Sequence, residues 1–385
     1  MAGVLAWLRW DLRRRWVSLA VLGLLTAFAT GTVLTAAAGA HRGDTALPRL
    51  RAQTLPTDAL VVANLPGIDW GPVDALPYVT AYSHFFLGGG GGKFPEDDIT
   101  SVTGFARDDS HWMRSIERPV VLEGRMLDVN DPLEAVITRG VEDRGYHVGQ
   151  VLPYRLASPA QADRAELDEL PYADLAGPEL QIRIVGVVIA PWALQDGGAA
   201  VDVELSPALL QRYRSSFTGT SGKAGWENDQ LRLAHGAADI PQLREDLKRI
   251  TGQAIDVWNY DEGYDHLQST DRREAGFLLA FAIAALVASM LLIGQALGRS
   301  VATSVAELDS ARALGMEPRQ VTVAAVLGPV AACWTGAVLG GVVAAYASRW
   351  FPIGTAASAE PSPGTRIDWP VLGAGLLLVA GLLLA

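Results

Sequence analysis

Five consecutive glycines, Gly88, Gly89, Gly90, Gly91 and Gly92, followed by Lys93, form the most conspicuous chemical pattern in the chain. Glycine amides beside a lysine can cradle a phosphate, because the bare backbone approaches closely and the ammonium adds charge. The spacing fails the phosphate-loop pattern, which needs a glycine where Leu87 stands and a serine or threonine where Phe94 stands. Residues 87–98 therefore read as a mobile surface loop. Two further clusters carry metal-ligating types, Asp108 and Asp109 with His111, and Asp261 and Glu262 with Asp265 and His266. Neither has the ligand spacing of a zinc or calcium loop, and both read as solvated faces. No GxSxG, HExxH or CxxC pattern occurs, so hydrolase, protease and thiol-redox chemistry lack their residues. The chain is expected to have no catalytic residues, no cofactor and no metal site, and not to be an enzyme.

The elements that would carry any other function are set by hydropathy. Half of the 385 residues are apolar, which implies some helices in lipid and one large water-soluble part. A bilayer core needs about 20 apolar residues, and residues 16–38, 276–298 and 321–347 supply them. A fourth run, 370–385, begins like a span and stops at the chain end, as expected of a fragment of a longer protein. The first run has a rival reading as a cleaved secretory signal, since RRRW precedes it and Ala36, Ala37, Ala38, Gly39 and Ala40 follow. Its apolar core is longer than a signal requires, and the later spans keep the protein in the membrane.

Charge gives the orientation. The net charge is −11, and residues 39–275 hold 36 acidic against 22 basic side chains, which makes nucleic acid an unsuitable partner. Arg9, Arg13, Arg14 and Arg15 precede the first span, and Arg299, Arg312 and Arg319 lie between the second and third. The positive-inside rule then puts both segments in the cytoplasm and residues 39–275 outside. The single cysteine, Cys333, lies in the third span, so the outer segment relies on its core and not on disulfides.

Residues 1–15 place Val4, Leu5, Leu8 and Leu12 on one helical face and Arg9 and Arg13 away from it, with Trp7, Trp10 and Trp16 suited to headgroup depth. An amphipathic interface helix and a plain extension of the first span both fit this pattern. Residues 39–275 read as an α+β domain ending in a stalk. Strands are expected at 59–63, 99–105, 135–138, 151–156, 180–190, 200–205 and 229–233, with helices at 207–215, 240–251 and 264–274. The acidic, proline-punctuated stretch 158–177 reads as a second mobile loop. Residues 348–369 form an outer loop. The fold class is thus an α-helical membrane bundle of four spans, the last truncated, with a large α+β extracytoplasmic domain between spans one and two.

Within the spans, Gly294 with Gly298, and Gly336 with Gly340 and Gly341, present small faces that let another helix approach closely. Pro329 offers a kink. No ionisable residue interrupts the three complete spans, which argues against an ion-coupled carrier. Between spans two and three, residues 299–320 carry Val301, Val305 and Leu308 at helical intervals, and Gly315 and Pro318 close the pattern. The simplest reading is a connector; its length and amphipathicity point instead to a docking helix.

At these residues the chain resembles permeases of the FtsX and MacB type, membrane subunits of ATP-binding-cassette systems. Glu307-Leu308-Asp309-Ser310-Ala311-Arg312-Ala313-Leu314-Gly315-Met316-Glu317-Pro318-Arg319-Gln320-Val321 follows that family's loop, approximately ELxxLRALG, a hydrophobic residue, two variable positions and QV or QI. Ala311 replaces the usual leucine, and Ser304, Val305 and Ala306 stand where a basic run is common. Outside the loop, Gly124-Arg125-Met126-Leu127, Glu134-Ala135-Val136-Ile137, Tyr146-His147-Val148-Gly149-Gln150-Val151-Leu152 and Ile184-Val185-Gly186-Val187-Val188 look like the family's exported core, with Gln150 where Asp is frequent.

The resemblance implies a multi-pass subunit of a bacterial cytoplasmic (inner) membrane that binds a separate cytoplasmic ABC ATPase and pairs with a second permease half or copy. It implies mechanotransmission: ATP-driven motion passes through the loop to the outer domain and acts on an extracytoplasmic substrate. The alternative is a non-transporting scaffold that switches an extracytoplasmic cell-wall hydrolase. The ATPase-coupling residues expected from the match are Glu307, Leu308, Arg312, Ala313, Leu314, Gly315, Met316 and Gln320.

Overall fold

A computed structural model describes residues 13–65, 67–93, 102–107, 111–164, 172–195, 198–199, 201–313 and 317–384. The chain divides into two compact units: Met1–Asp44 with Asp271–Ile353 and Pro363–Ala385, and Thr45–Thr270 with Gly354–Ser362. In chain order the principal helices are α1 (Trp16–Asp44), α2 (Ala46–Thr54), α3 (Gly71–Asp74), α4 (Ile240–Thr251), α5 (Tyr260–Ala313), α6 (Pro318–Ala347) and α7 (Trp369–Leu384). The interface helix expected within residues 1–15 lies largely outside the described residues.

The first unit is helical. Among the described residues, the stretches Trp16–Thr54, Tyr260–Val305 and Pro318–Trp350 are long and apolar enough to cross a membrane, and Trp369–Leu382 is a shorter apolar helix. α1 runs six residues past the expected end of the span because no glycine-proline signal interrupts it. Its last turn buries Arg42, whose guanidinium donates to the carbonyls of Ser348 at 2.7 Å and Gly364 at 2.9 Å.

The greatest departure from expectation is α5. A stalk helix, a span and a separate loop helix were expected from the sequence pattern; they are one unbroken helix of 54 residues. It holds glycines but no proline, and glycine alone costs only about 1 kcal/mol in a helix interior, too little to break an element so well supported on either side.

The second unit is α+β. Its strands are β1 (Ala59–Leu65), β2 (Val79–Leu87), β3 (Gly90–Gly92), β4 (Val102–Arg107), β5 (Val120–Gly124), β6 (Glu134–Thr138), β7 (Val151–Leu156), β8 (Glu179–Ile189), β9 (Leu194–Gln195), β10 (Gly198–Ala199), β11 (Val203–Leu205), β12 (Trp226–Leu233) and β13 (Asp256–Asn259). The pairings β7–β8, β8–β6, β6–β11, β11–β4, β4–β3 and β3–β7 close a ring, a small six-stranded barrel. Leu152, Tyr154, Ile182, Ile184, Val203 and Leu205 fill it, as the alternation of inward and outward residues requires. β5 adds to the far half of β8.

From β4 the sheet continues through β2, β12 and β1 to β13. α4 covers this wing with Leu243 and Leu247 buried against Val61, Leu231 and Val257. A third cluster joins Leu47 and Leu50 of α2 to Ile189, Tyr264, Ala356 and Ala359.

The polyglycine stretch is a buried barrel strand, which corrects its reading as a mobile loop. Gly91 pairs with Thr103 on one side and Arg155 on the other. A Cβ at Gly90 would stand 2.7 Å from the Arg155 carbonyl and from the Tyr154 ring, and one at Gly89, where φ is +85°, would stand 2.2 Å from the Phe217 ring. Glycine is used here to let backbone approach side chains, not to add freedom. Residues 94–98 of the same expected loop, and the first residues of the strand expected at 99–105, lie outside the described residues.

Candidate functional site

The segment between the two apolar helices α5 and α6 is built from both of them and from the start of α1. Ser304 is 1 % exposed; its hydroxyl donates to the Ser300 carbonyl at 3.1 Å and accepts from Arg15 Nη1 at 2.9 Å. Arg15 Nη2 also reaches the Thr303 carbonyl at 3.4 Å. Val301 and Val305 pack on Val321, Ala324 and Ala325 at the base of α6. An arginine, a hydroxyl and a small apolar cluster thus fix the root of the segment, while Glu317, Pro318 and Arg319 are exposed and Gln320 is half-buried. Pro318 opens α6 at its first turn, where the missing N–H costs nothing.

Of the expected coupling residues, Glu307, Leu308, Arg312 and Ala313 lie on the last turns of α5; their side chains, and all of Leu314, Gly315 and Met316, fall outside the described residues. Gln320 lies in the first turn of α6. Arg15 lies outside the motif and Ser304 is a departure from it, so nothing in the sequence signals their pairing beyond the charge rule, which puts both on one side of the membrane.

The glycines of the third span lie at a helix crossing. A Cβ at Gly336 would stand 2.2 Å from the Gly23 carbonyl, and one at Gly340 2.6 Å from the Ala27 carbonyl and 2.8 Å from the Gly31 nitrogen. From the other side, a Cβ at Gly23 would meet the Ala332 carbonyl at 3.1 Å. α1 and α6 therefore touch backbone to backbone along a small-residue seam. Gly294 and Gly298 differ from expectation: an added Cβ at either meets nothing within 4 Å. The apolar part of α5 is largely exposed, with Phe277, Phe281, Leu291 and Leu292 more than half open, and Gly294 lines a cavity of about 230 Å³ shared with Thr30 and Leu34 of α1 and Leu378 of α7 and makes no close helix contact.

In the second unit, the motifs compared above with an exported core are turns and a charge hub. Gly124 sits at φ +71° with a virtual Cβ 2.2 Å from the Val185 carbonyl, so only glycine fits. Arg125 then forks onto Glu134 at 2.8 and 2.5 Å, and Arg183 adds a contact at 2.9 Å. The Glu134 carboxyl falls from its ordinary 4.5 to about 2, first because Arg125 donates to it, against the opposing effect of burial. Gln150, where Asp is frequent in the family, accepts the His147 amide at 3.0 Å and closes a turn on Gly149.

Two residues of the second acidic cluster have partners within the fold. Asp261 pairs with Arg51 at 2.5 Å and Glu262 accepts from Asn259 at 3.1 Å. Asp108 and Asp109 lie outside the described residues.

Residues 279–385 match the family model described as FtsX-like permease C-terminal. That stretch resembles an FtsX-like permease region. It contains the loop motif, the C-terminal part of α5 and all of α6, and the family expected from the motif is the one whose model matches there. Similar solved structures include the periplasmic region of MacB from Actinobacillus actinomycetemcomitans, at 10 % identity and a TM-score of 0.34 over 57 % of this chain and 95 % of that one. A domain of a putative permease protein from Porphyromonas gingivalis is similar at 12 % identity and a TM-score of 0.28, over 51 % of this chain and 77 % of that one. No curated protein matches the chain.

Proposed function

We propose that the chain is the permease subunit of an ABC transporter, seated in the cytoplasmic membrane of a bacterium with its N-terminus inside and the α+β unit outside. A separate cytoplasmic ATPase docks on the end of α5 and the turn into α6. Its cycle moves these helices, and the motion acts on an extracytoplasmic substrate. The observation that carries this reading is the match of residues 279–385 to an FtsX-like permease model; the root of the segment is held by Arg15 on Ser304 and by the packing of Val301 and Val305 on Val321. A root held in this way would pass force from a docked protein into the helices.

Glu307 and Arg312 supply the polar contacts to the ATPase, and Leu308, Leu314 and Met316 the apolar face. Truncating such interface groups commonly costs about 1–3 kcal/mol each. The combined change Arg312→Glu with Leu314→Asp is therefore expected to abolish co-purification of the ATPase with the permease from detergent-solubilised membranes. Unchanged co-purification refutes the docking assignment. Crosslinking the outer unit in membranes with and without ATP then identifies what it acts on: capture of a small molecule or lipoprotein supports transport, and capture of one cell-wall hydrolase supports the scaffold reading in its place.

A further inference from the structure

We propose that Asp74, His84 and Asp229, in the β2–β12 wing of the second unit, form a binding site for one divalent first-row transition ion, with zinc the best fit. His84 and Asp229 stand directly opposite each other across the antiparallel pair β2–β12, and Asp74 is the last residue of α3. Both carboxylates approach the same imidazole nitrogen: Nε2 lies 3.3 Å from Asp74 Oδ1 and 3.8 Å from Asp229 Oδ1. The three ligand atoms all lie within 4.8 Å of one another.

These spacings are those of co-ligands. The His84–Asp74 contact is a hydrogen bond at 3.3 Å, longer than the about 2.7–2.9 Å to which a charge-assisted imidazolium–carboxylate bond closes. Donors bound to one tetrahedral zinc at about 2.0–2.1 Å stand about 3.3 Å from each other, which is the Asp74 spacing; the longer Asp229 spacing corresponds to an opened angle at the same ion. One nitrogen and two carboxylate oxygens are a donor set for a borderline cation, and three protein ligands leave a fourth position for water.

The surroundings are those of a built site. The Asp229 side chain is fully buried and forms the floor, while His84 and Asp74 are 16 % and 13 % exposed and leave an entrance. Trp70 and Tyr82 stack on the His84 ring at centroid distances of 5.7 and 5.3 Å and fix its plane, as outer partners do at metal sites. A bound ion ties α3 to two strands of the wing.

The test uses the full chain in detergent, stripped with EDTA and titrated with Co2+, followed by displacement with Zn2+. The expected result is a saturable visible band of a tetrahedral cobalt site at one ion per chain, bleached by Zn2+, and a rise of about 5 °C in the melting midpoint with excess Zn2+. His84→Ala and Asp74→Asn should each weaken binding about tenfold or more and remove the melting rise. Absence of the cobalt band in the wild type, or an unchanged band in a variant with wild-type circular dichroism, overturns the site. Asp74→Asn sits at the end of a short surface helix and decides the matter where His84→Ala does not fold.

Discussion

At the scale of single residues, charge placement does the most. Glu134 is 2 % exposed and is held ionised by two guanidinium groups that are themselves more than half open to solvent. Its carboxyl titrates near 2 in the folded chain instead of 4.5. A lowered folded-state pKa contributes stability that is complete above the unfolded value and is lost as pH falls through the folded one. Glu134→Gln should therefore melt below the wild type at pH 7, and the gap should narrow as pH falls from about 4.5 towards about 2. A gap that is the same at pH 7 and pH 3, read by intrinsic fluorescence during heating, rules out the ion pair as its source. Arg15 acts through hydrogen bonding: Arg15→Ala leaves Ser304 without its cross-helix donor at a cost of about 1 kcal/mol, small enough to leave the chain folded.

At the scale of elements, close backbone approach decides which glycines matter. Gly89→Ala puts a methyl into the Phe217 ring at a left-handed backbone position and should cost about 3 kcal/mol; an unchanged melting midpoint refutes the barrel position of the polyglycine strand. Gly336→Leu should disrupt the α1–α6 seam and yield aggregated protein on size exclusion, whereas Gly294→Leu, which meets open space, should remain monodisperse. Equal behaviour of the two contradicts the seam.

The helix α4 was legible to the residue because Leu243, Leu247 and Ile250 declare its face and Gly252 ends it, and β7 was legible because its alternation is clean. β3 was not, because glycine carries no hydropathy signal and its reason for being there is Tyr154 and Phe217, distant in sequence. β13 and β2 were missed as well; Asp256–Asn259 is only four residues long and half polar, so its place is set by pairing with β1. The loop motif was legible as a family signature, yet its clamp by Arg15 joins residues 289 positions apart. Asp74, His84 and Asp229 were invisible as a group for the same reason, since no local spacing relates them.

At the scale of the whole molecule, the feature that most constrains mechanism is the continuity of α5. Its 54 residues extend about 80 Å at 1.5 Å per residue, more than twice the about 30 Å of a hydrocarbon core. This helix includes Glu307, Leu308, Arg312 and Ala313 of the proposed docking segment, an apolar stretch long enough to cross a membrane and the segment Tyr264–Glu274. If the proposed transmission runs through this rod, breaking it should separate docking from response. Gly276 is the place to do so: it is exposed, an added side chain meets nothing within 4 Å, and it lies close to the boundary at Asp271 between the two units. Gly276→Pro removes one backbone hydrogen bond and forces its ring against the preceding turn, at about 3 kcal/mol, whereas Gly276→Ala stiffens the helix. The proline variant should retain the co-expressed ATPase on purification and lose the ATP-dependent change in hydrogen exchange of the outer unit, and the alanine variant should keep both. A proline variant that still transmits the ATP signal shows that the force travels by another route, through the α1–α6 seam, and one that loses ATPase binding shows that the rod and the docking surface fold as one.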